Sequence, residues 1–263
     1  MLLHGLGTTQ QIWSLVTDPL ASSRRVITLD LPGFGESAPV GTGFDLAEVT
    51  ERLARALAAH HVTAPFDLVG HSLGGAVALT LAARRPNLVQ RLVLVAPAGL
   101  QRSRAPLPKA LLGSGATGLF AARRRLAALS ERPWGRRLLL AFAAADGATL
   151  SPSQARMMVE ASAPAQRIAQ ATRVIAQADL LPLLRSAPAP LGLIWGRRDR
   201  AVPFKLAAEI LAERPDAELE LIDWTGHVPM VERPDSFAVA LDSVLRRLDK
   251  HATSSGAARR TTP

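Results

Sequence analysis

One serine in this chain stands where its hydroxyl could serve as a nucleophile. In Phe66-Asp67-Leu68-Val69-Gly70-His71-Ser72-Leu73-Gly74-Gly75 the spacing G-x-S-x-G follows a short apolar run and precedes a run of small residues, Ala76–Ala83. A sharp turn between a strand and a helix forces Ser72 into a strained backbone conformation and projects its hydroxyl above the sheet. Gly70 and Gly74 leave space where side chains would collide with neighbouring backbone. The helix that starts beside Ser72 adds free N–H groups and positive potential.

A serine hydroxyl is a poor nucleophile until a base removes its proton, so a histidine is needed nearby. The chain has six. His60 and His61 close a predicted helix, and His251 lies in the last stretch. His71 adjoins the serine, but successive side chains point apart, so it is expected to pack beneath the turn. His4 belongs to a glycine-rich loop. That leaves His227, in Thr225-Gly226-His227-Val228-Pro229, just after the last apolar run; it is the expected general base.

The acid that orients it is expected to be Asp199, in the loop Gly196–Pro203 that follows the apolar run Leu191–Trp195. The alternative is a capping role at the helix starting near Pro203. Asp223 is too close in sequence to His227, and Asp30 is expected to organise its own turn. After Leu92–Val95 stands Pro97-Ala98-Gly99, which offers no acid. The order Ser72, Asp199, His227 suits a nucleophile elbow at the top of an α/β sheet. Acyl transfer also needs donors for the developing oxyanion, each worth roughly 2.7–4 kcal/mol. Those expected are the backbone N–H groups of Leu73 and of Leu6, in Leu3-His4-Gly5-Leu6-Gly7.

These residues must be brought together by the elements around them. Arg25–Leu29, Phe66–Val69, Leu92–Val95, Leu191–Trp195 and Glu218–Ile222 read as buried parallel strands. Asp45–His60, Ser72–Arg84, Pro203–Glu213 and Pro234–Leu248 carry helical spacing, the first with Asp45 as N-cap and Glu48 three residues on. Alternating strands and helices predict an α/β fold with a mostly parallel sheet flanked by helices. From about Leu100 to Pro190 the alternation stops. Leu107–Leu112, Leu119–Leu129, Trp134–Ala145, Ser151–Ser162 and Pro164–Ala178 read as consecutive short helices. The expected organisation is a core over 1–100 and 186–249, a helical cap over 101–185, and a disordered tail over 250–263.

Composition narrows the class. The 263 residues are 48% hydrophobic, enough for a large core. No apolar run approaches the ~18–20 residues that span a bilayer, and the first residues lack a signal-peptide core, so a cytoplasmic protein is expected. Without cysteine there are no disulfides, thiolate metal sites or cysteine nucleophiles. No metal-ligand cluster or phosphate loop is present, and Gly33-Phe34-Gly35 lacks the third glycine of a dinucleotide fingerprint, so neither cofactor nor metal is expected. The net charge of +9 is concentrated: Gln101–Arg185 holds thirteen basic and four acidic residues, while the rest of the chain balances. Such a segment either attracts an anionic substrate or uses arginine on solvated helix faces. No nucleic-acid partner is expected, and no motif sets an oligomeric state.

Together the motifs resemble the α/β-hydrolase superfamily, over nearly the whole chain to about Leu248. His4–Gly7, Asp30–Ser37, Gly70–Gly75, Asp199–Pro203 and Gly226-His227 stand in family order. The resemblance implies the α/β-hydrolase fold, with the helical segment as a cap that shapes the acyl and alcohol pockets. Epoxide hydrolases and haloalkane dehalogenases place Asp at the elbow, so Ser72 argues against both. The family normally has two strands before the His-Gly loop, whereas three residues precede it here, so the expectation is either a truncated start or a smaller sheet, with a new edge strand. The implied activity is serine hydrolysis of a small-molecule ester, lactone or thioester through an acyl-enzyme. Carbon–carbon bond hydrolysis, amide hydrolysis and acyl transfer run on the same triad and stay open. A non-catalytic binding protein that keeps the pocket is the reading from another class.

Overall fold

The computed structural model describes residues 1–62, 65–100, 122–160 and 165–258. Among them, six parallel strands form one sheet: β1 (Leu2–Leu3), β2 (Thr28–Leu29), β3 (Phe66–His71), β4 (Val89–Val95), β5 (Leu191–Gly196) and β6 (Glu218–Ile222). Their order is β2-β1-β3-β4-β5-β6. The run Arg25–Leu29 contributes only Thr28 and Leu29, because β2 is the sheet edge and pairs with β1 alone. β1, by contrast, is interior. Leu2 and Leu3 pair with Thr28 and Leu29 on one side and with Val69 and Gly70 on the other. The loop after β1 is therefore anchored from both flanks.

The helices are α1 (Ser14–Ala21), α2 (Leu46–Ala59), α3 (Leu73–Arg84), α4 (Pro133–Leu139), α5 (Pro152–Glu160), α6 (Ala165–Gln177), α7 (Leu181–Ser186), α8 (Leu206–Glu213), α9 (Pro229–Glu232) and α10 (Pro234–Ala258). They cover the sheet on both sides, and the strand sequences show why both faces are dry. Side chains alternate across a strand. Leu92 and Leu94 of β4 join one core with Leu53 of α2 and Val77 of α3, while Val93 and Val95 join the other with Val16 of α1 and Val244 of α10. Each such buried aliphatic side chain contributes about 1.5–3 kcal/mol. Gly192 in β5 lets α10 approach, since a Cβ there would run into the Val244 side chain.

Local signals account for most element boundaries. Asp45 caps α2, its carboxylate accepting the Glu48 N–H at 2.9 Å. Between β4 and β5, α5 and α6 fall on the expected helices. The span Trp134–Ala145 is helical only as α4, which ends by Leu140 and is followed by turns. Leu107–Leu112 and the start of Leu119–Leu129 lie outside the described residues; Ala127–Glu131 is a 3-10 turn. At the other end, α10 passes its expected stop at Leu248 and runs to Ala258. The expected disordered tail is thus helical over its first part, and 259–263 lie outside the described residues. A helix already nucleated against the sheet propagates onward where no proline intervenes. No helix among the described residues is long and apolar enough to cross a membrane.

The strand order locates a crevice. From β1 the chain moves outward to β2, then returns across β1 to start β3 on its other side. The segment after β1 packs on one face of the sheet, through Ile12 and Trp13, and α3 packs on the other. The loops leaving the carboxyl ends of β1 and β3 therefore diverge, and ligands bind in such gaps.

Candidate active site

Ser72 sits at this gap, between the last residue of β3 and the first of α3. Its φ of 51° and ψ of −113° are a strained conformation for a residue with a side chain, one that costs on the order of 1–3 kcal/mol. The neighbouring backbone holds it there. The Ser72 N–H donates to the Val95 carbonyl at 2.9 Å, and the Ser72 carbonyl accepts from Gly75 at 3.0 Å and Ala98 at 3.2 Å. Both flanking glycines are required by close approach. A Cβ at Gly74 would stand 2.5 Å from the carbonyl oxygens of Leu3 and His4, and one at Gly70 would press into the Gly74 carbonyl.

The loop after β1 lies against the serine: a Cβ on Gly5 would be 3.2 Å from Ser72 Cβ. One peptide unit in this loop is held firmly. The Gly5 carbonyl accepts from Thr8 Oγ1 and from His4 Nδ1, both at 2.9 Å, and from the Thr8 N–H at 3.4 Å. His4 can donate through Nδ1 because its Nε2 accepts the Leu31 N–H at 2.9 Å. Since a peptide's N–H points opposite to its carbonyl, anchoring the Gly5 oxygen orients the Leu6 N–H. Among the described residues neither the Leu6 N–H nor the Leu73 N–H has a hydrogen-bond acceptor. Both flank the Ser72 region as donors without a partner.

His4 is fully buried, and burial pushes its pKa down to about 4, against about 6.5 for an ordinary histidine. The folded state therefore binds fewer protons than the unfolded chain between those values. Its contribution is fully present above about pH 6.5 and is lost as the pH falls towards 4, an effect of about 3 kcal/mol. Denaturant titrations at pH 7 and pH 4.5 are expected to show this loss, and His4→Gln to show a shallower dependence. Equal slopes would remove His4 as the titrating group.

Beyond the carboxyl ends of β5 and β6, His227 and Asp199 meet. His227 Nδ1 donates to Asp199 Oδ2 at 2.7 Å, and the Asp199 side chain is fully buried while that of His227 is 12% exposed. The other carboxylate oxygen, Oδ1, accepts the N–H groups of Ala201 and Val202, each at 2.8 Å. Asp199 thus closes its own turn and still presents one oxygen to the imidazole; it does not cap the following helix, which begins only at Leu206 with Lys205 as its N-cap. In the neutral imidazole, a donating Nδ1 places the lone pair on Nε2. The loops bearing the two residues are interlocked: Arg198 N–H donates to the Thr225 carbonyl at 2.9 Å, and a Cβ on Gly196 would collide with the Gly226 carbonyl. The rejected acids lie elsewhere. Asp223 pairs with Arg197 on the surface, and Asp30 accepts the N–H groups of Gln10 and Glu36 at 2.8 and 3.1 Å, organising its turn.

Two further residues hold the site: His71, expected beneath the turn, and Glu232, which no motif marks. His71 packs beneath the elbow, where its Nε2 donates to the His227 carbonyl at 2.8 Å and the two rings lie 4.7 Å apart. Burial first, and the neighbouring His227 second, hold its pKa well below the ordinary histidine range. Glu232, at the end of α9, accepts the Gly226 N–H on one oxygen and the Ala145 N–H on the other, both at 2.8 Å. Adjacency of His71 to the serine hinted at packing, but nothing in sequence marks either partner.

Residues 1–240 match the family model described as "Alpha/beta hydrolase family". A pimeloyl-[acyl-carrier protein] methyl ester esterase of Aromatoleum aromaticum is 35% identical over 262 residues, covering 94% of this chain and 97% of that protein. The esterase of the same name from Klebsiella pneumoniae is 31% identical over 255 residues, covering 94% and 93%. Among solved structures, a thermophilic esterase from Thermogutta terrifontis is similar with a TM-score of 0.74 at 24% identity, over 94% of this chain and 89% of that one.

Proposed function

This chain belongs to the alpha/beta hydrolase family, and from that premise we propose that Ser72, His227 and Asp199 carry the hydrolysis of a carboxylic ester. The observation that carries the assignment is the 2.7 Å bond from His227 Nδ1 to a fully buried Asp199, which in the neutral imidazole places the lone pair on Nε2. Ser72 Oγ attacks the ester carbonyl as Nε2 takes its proton. The tetrahedral oxyanion is held by the Leu6 and Leu73 N–H groups. On collapse the alcohol leaves with the proton from Nε2, and Ser72 keeps the acyl group. Water then attacks the acyl-enzyme, again deprotonated by Nε2, and the acid departs from Ser72. The imidazolium formed in each half-reaction is stabilised by the Asp199 carboxylate.

The substrate class follows from the helical segment between β4 and β5, which acts as the cap. Arg124, Arg125 and Arg132 are exposed there, and so is Arg137, which pairs with Asp146, beside exposed Trp134, Leu138 and Phe142. Two relatives carry the name of a methyl ester esterase acting on a carrier-bound acyl chain. A mixed basic and apolar rim suits a methyl-esterified acyl chain presented on an acidic carrier protein. The competing reading is a small free ester, which needs no such rim. The test compares a carrier-bound pimeloyl methyl ester with the same methyl ester free in solution, across a salt series. At low salt the carrier-bound ester is expected to have kcat/KM higher by about tenfold or more, the gap narrowing as salt rises. Equal kcat/KM for the two would assign the chain to small free esters.

A further inference from the structure

The general base is held by more than its acid. The His227 N–H donates to the Ala143 carbonyl at 2.9 Å, and the His227 carbonyl accepts from His71. One residue earlier, the Gly226 N–H is bound by Glu232, whose second oxygen binds the Ala145 N–H. Gly226 itself packs directly on this turn, for a Cβ there would be 2.6 Å from the Ala145 nitrogen. Residues 143–145 belong to the helical segment between β4 and β5, far in sequence from the loop they support. A partly buried carboxylate that divides its two oxygens between two chain segments is an exacting arrangement. An unpaired amide at either end would be left without solvent to replace it.

We propose that Glu232 is a positioning residue for the general base: its carboxylate clamps the Gly226 amide to the Ala145 amide, so that the His227 loop and the 143–145 turn form one rigid piece. The helical segment is then part of the scaffold that aims the imidazole, as well as a cover for the substrate. This rests on the reading of His227 as the base. Glu232 touches neither substrate nor reacting atoms and acts only through the loop. Burial raises the Glu232 pKa above the ordinary glutamate value, and the amides of Ala145 and Gly226 oppose that rise by favouring the charged form.

Two variants separate this role from a general contribution to folding. Glu232→Gln keeps the size but turns an N–H donor towards one of the amides. Glu232→Asp keeps the charge but withdraws the carboxylate by one methylene. Both are assayed well below their melting temperatures, with the fold checked by circular dichroism. Misaiming the imidazole is expected to lower kcat roughly 10- to 100-fold, with KM little changed, and to broaden or shift the far-downfield proton resonance of His227 Nδ1–H. A folded variant of either kind with wild-type kcat overturns the clamp. So does a loss of kcat with that resonance unchanged. His227→Ala, measured alongside, distinguishes the two levels: activity there removes the base itself, whereas an inactive His227→Ala with a fully active Glu232→Gln removes only the clamp.

Discussion

Ser72→Ala is expected to reduce kcat by about 10⁶-fold, His227→Ala to do the same, and the double variant to be no worse than either. The reason is that the two side chains perform one event. Without the hydroxyl no acyl-enzyme forms, and without Nε2 the hydroxyl keeps its proton. What survives is the catalysis of two backbone donors acting on bound substrate with water as nucleophile. The measurements are kcat on a methyl ester and covalent labelling by a fluorophosphonate, which attacks only an activated serine. Labelling of wild type and loss of labelling in both single variants is the expected result. A Ser72→Ala variant that still turns over at a comparable rate would mean that another group is the nucleophile. A folded wild type that neither labels nor turns over would favour the binding protein that keeps the pocket without the chemistry.

The second large effect concerns Asp199. Asp199→Asn is expected to lower kcat by about 10⁴-fold while leaving the fold intact. The asparagine oxygen can still accept the Ala201 and Val202 N–H groups that Oδ1 holds at 2.8 Å. Its amide then faces His227 Nδ1 in place of the oxygen now 2.7 Å away. An N–H opposite Nδ1 selects the tautomer protonated on Nε2, which cannot take the serine proton. The melting temperature should therefore stay near that of wild type while kcat collapses. Near-normal turnover in a folded Asp199→Asn variant would move the acid's role to another carboxylate. None suits it among the alternatives weighed, since Asp223 is paired on the surface and Asp30 is spent on its own turn.

The fold was legible wherever a local pattern carries the information. Alternating apolar runs and helical spacing locate β3 to β6 and α2, α3 and α10, because burial on both faces of a parallel sheet leaves a continuous apolar signature. The signal misses β1 and overruns the start of β2, which are two residues each. Runs that short have no periodicity and are strands only because a neighbour offers a ladder. It fails again at the end of α10, where the helix propagates past its expected stop.

The catalytic geometry divides along the same line. Sequence alone determined the elbow, because the strained backbone at Ser72 and the close approach at Gly70 and Gly74 are demands a few adjacent residues must meet themselves. It also determined the candidates for base and acid, because each follows a strand at the end of the sheet where ligands collect. Tertiary structure alone decided how they are held. The Gly5 carbonyl that aims Leu6, the His71 ring under His227 and the Glu232 carboxylate between Gly226 and Ala145 pair groups whose spacing along the chain carries no pattern. Hydrogen bonds of that kind arise only when distant segments are buried together and each polar group must find whichever partner the packing brings within reach.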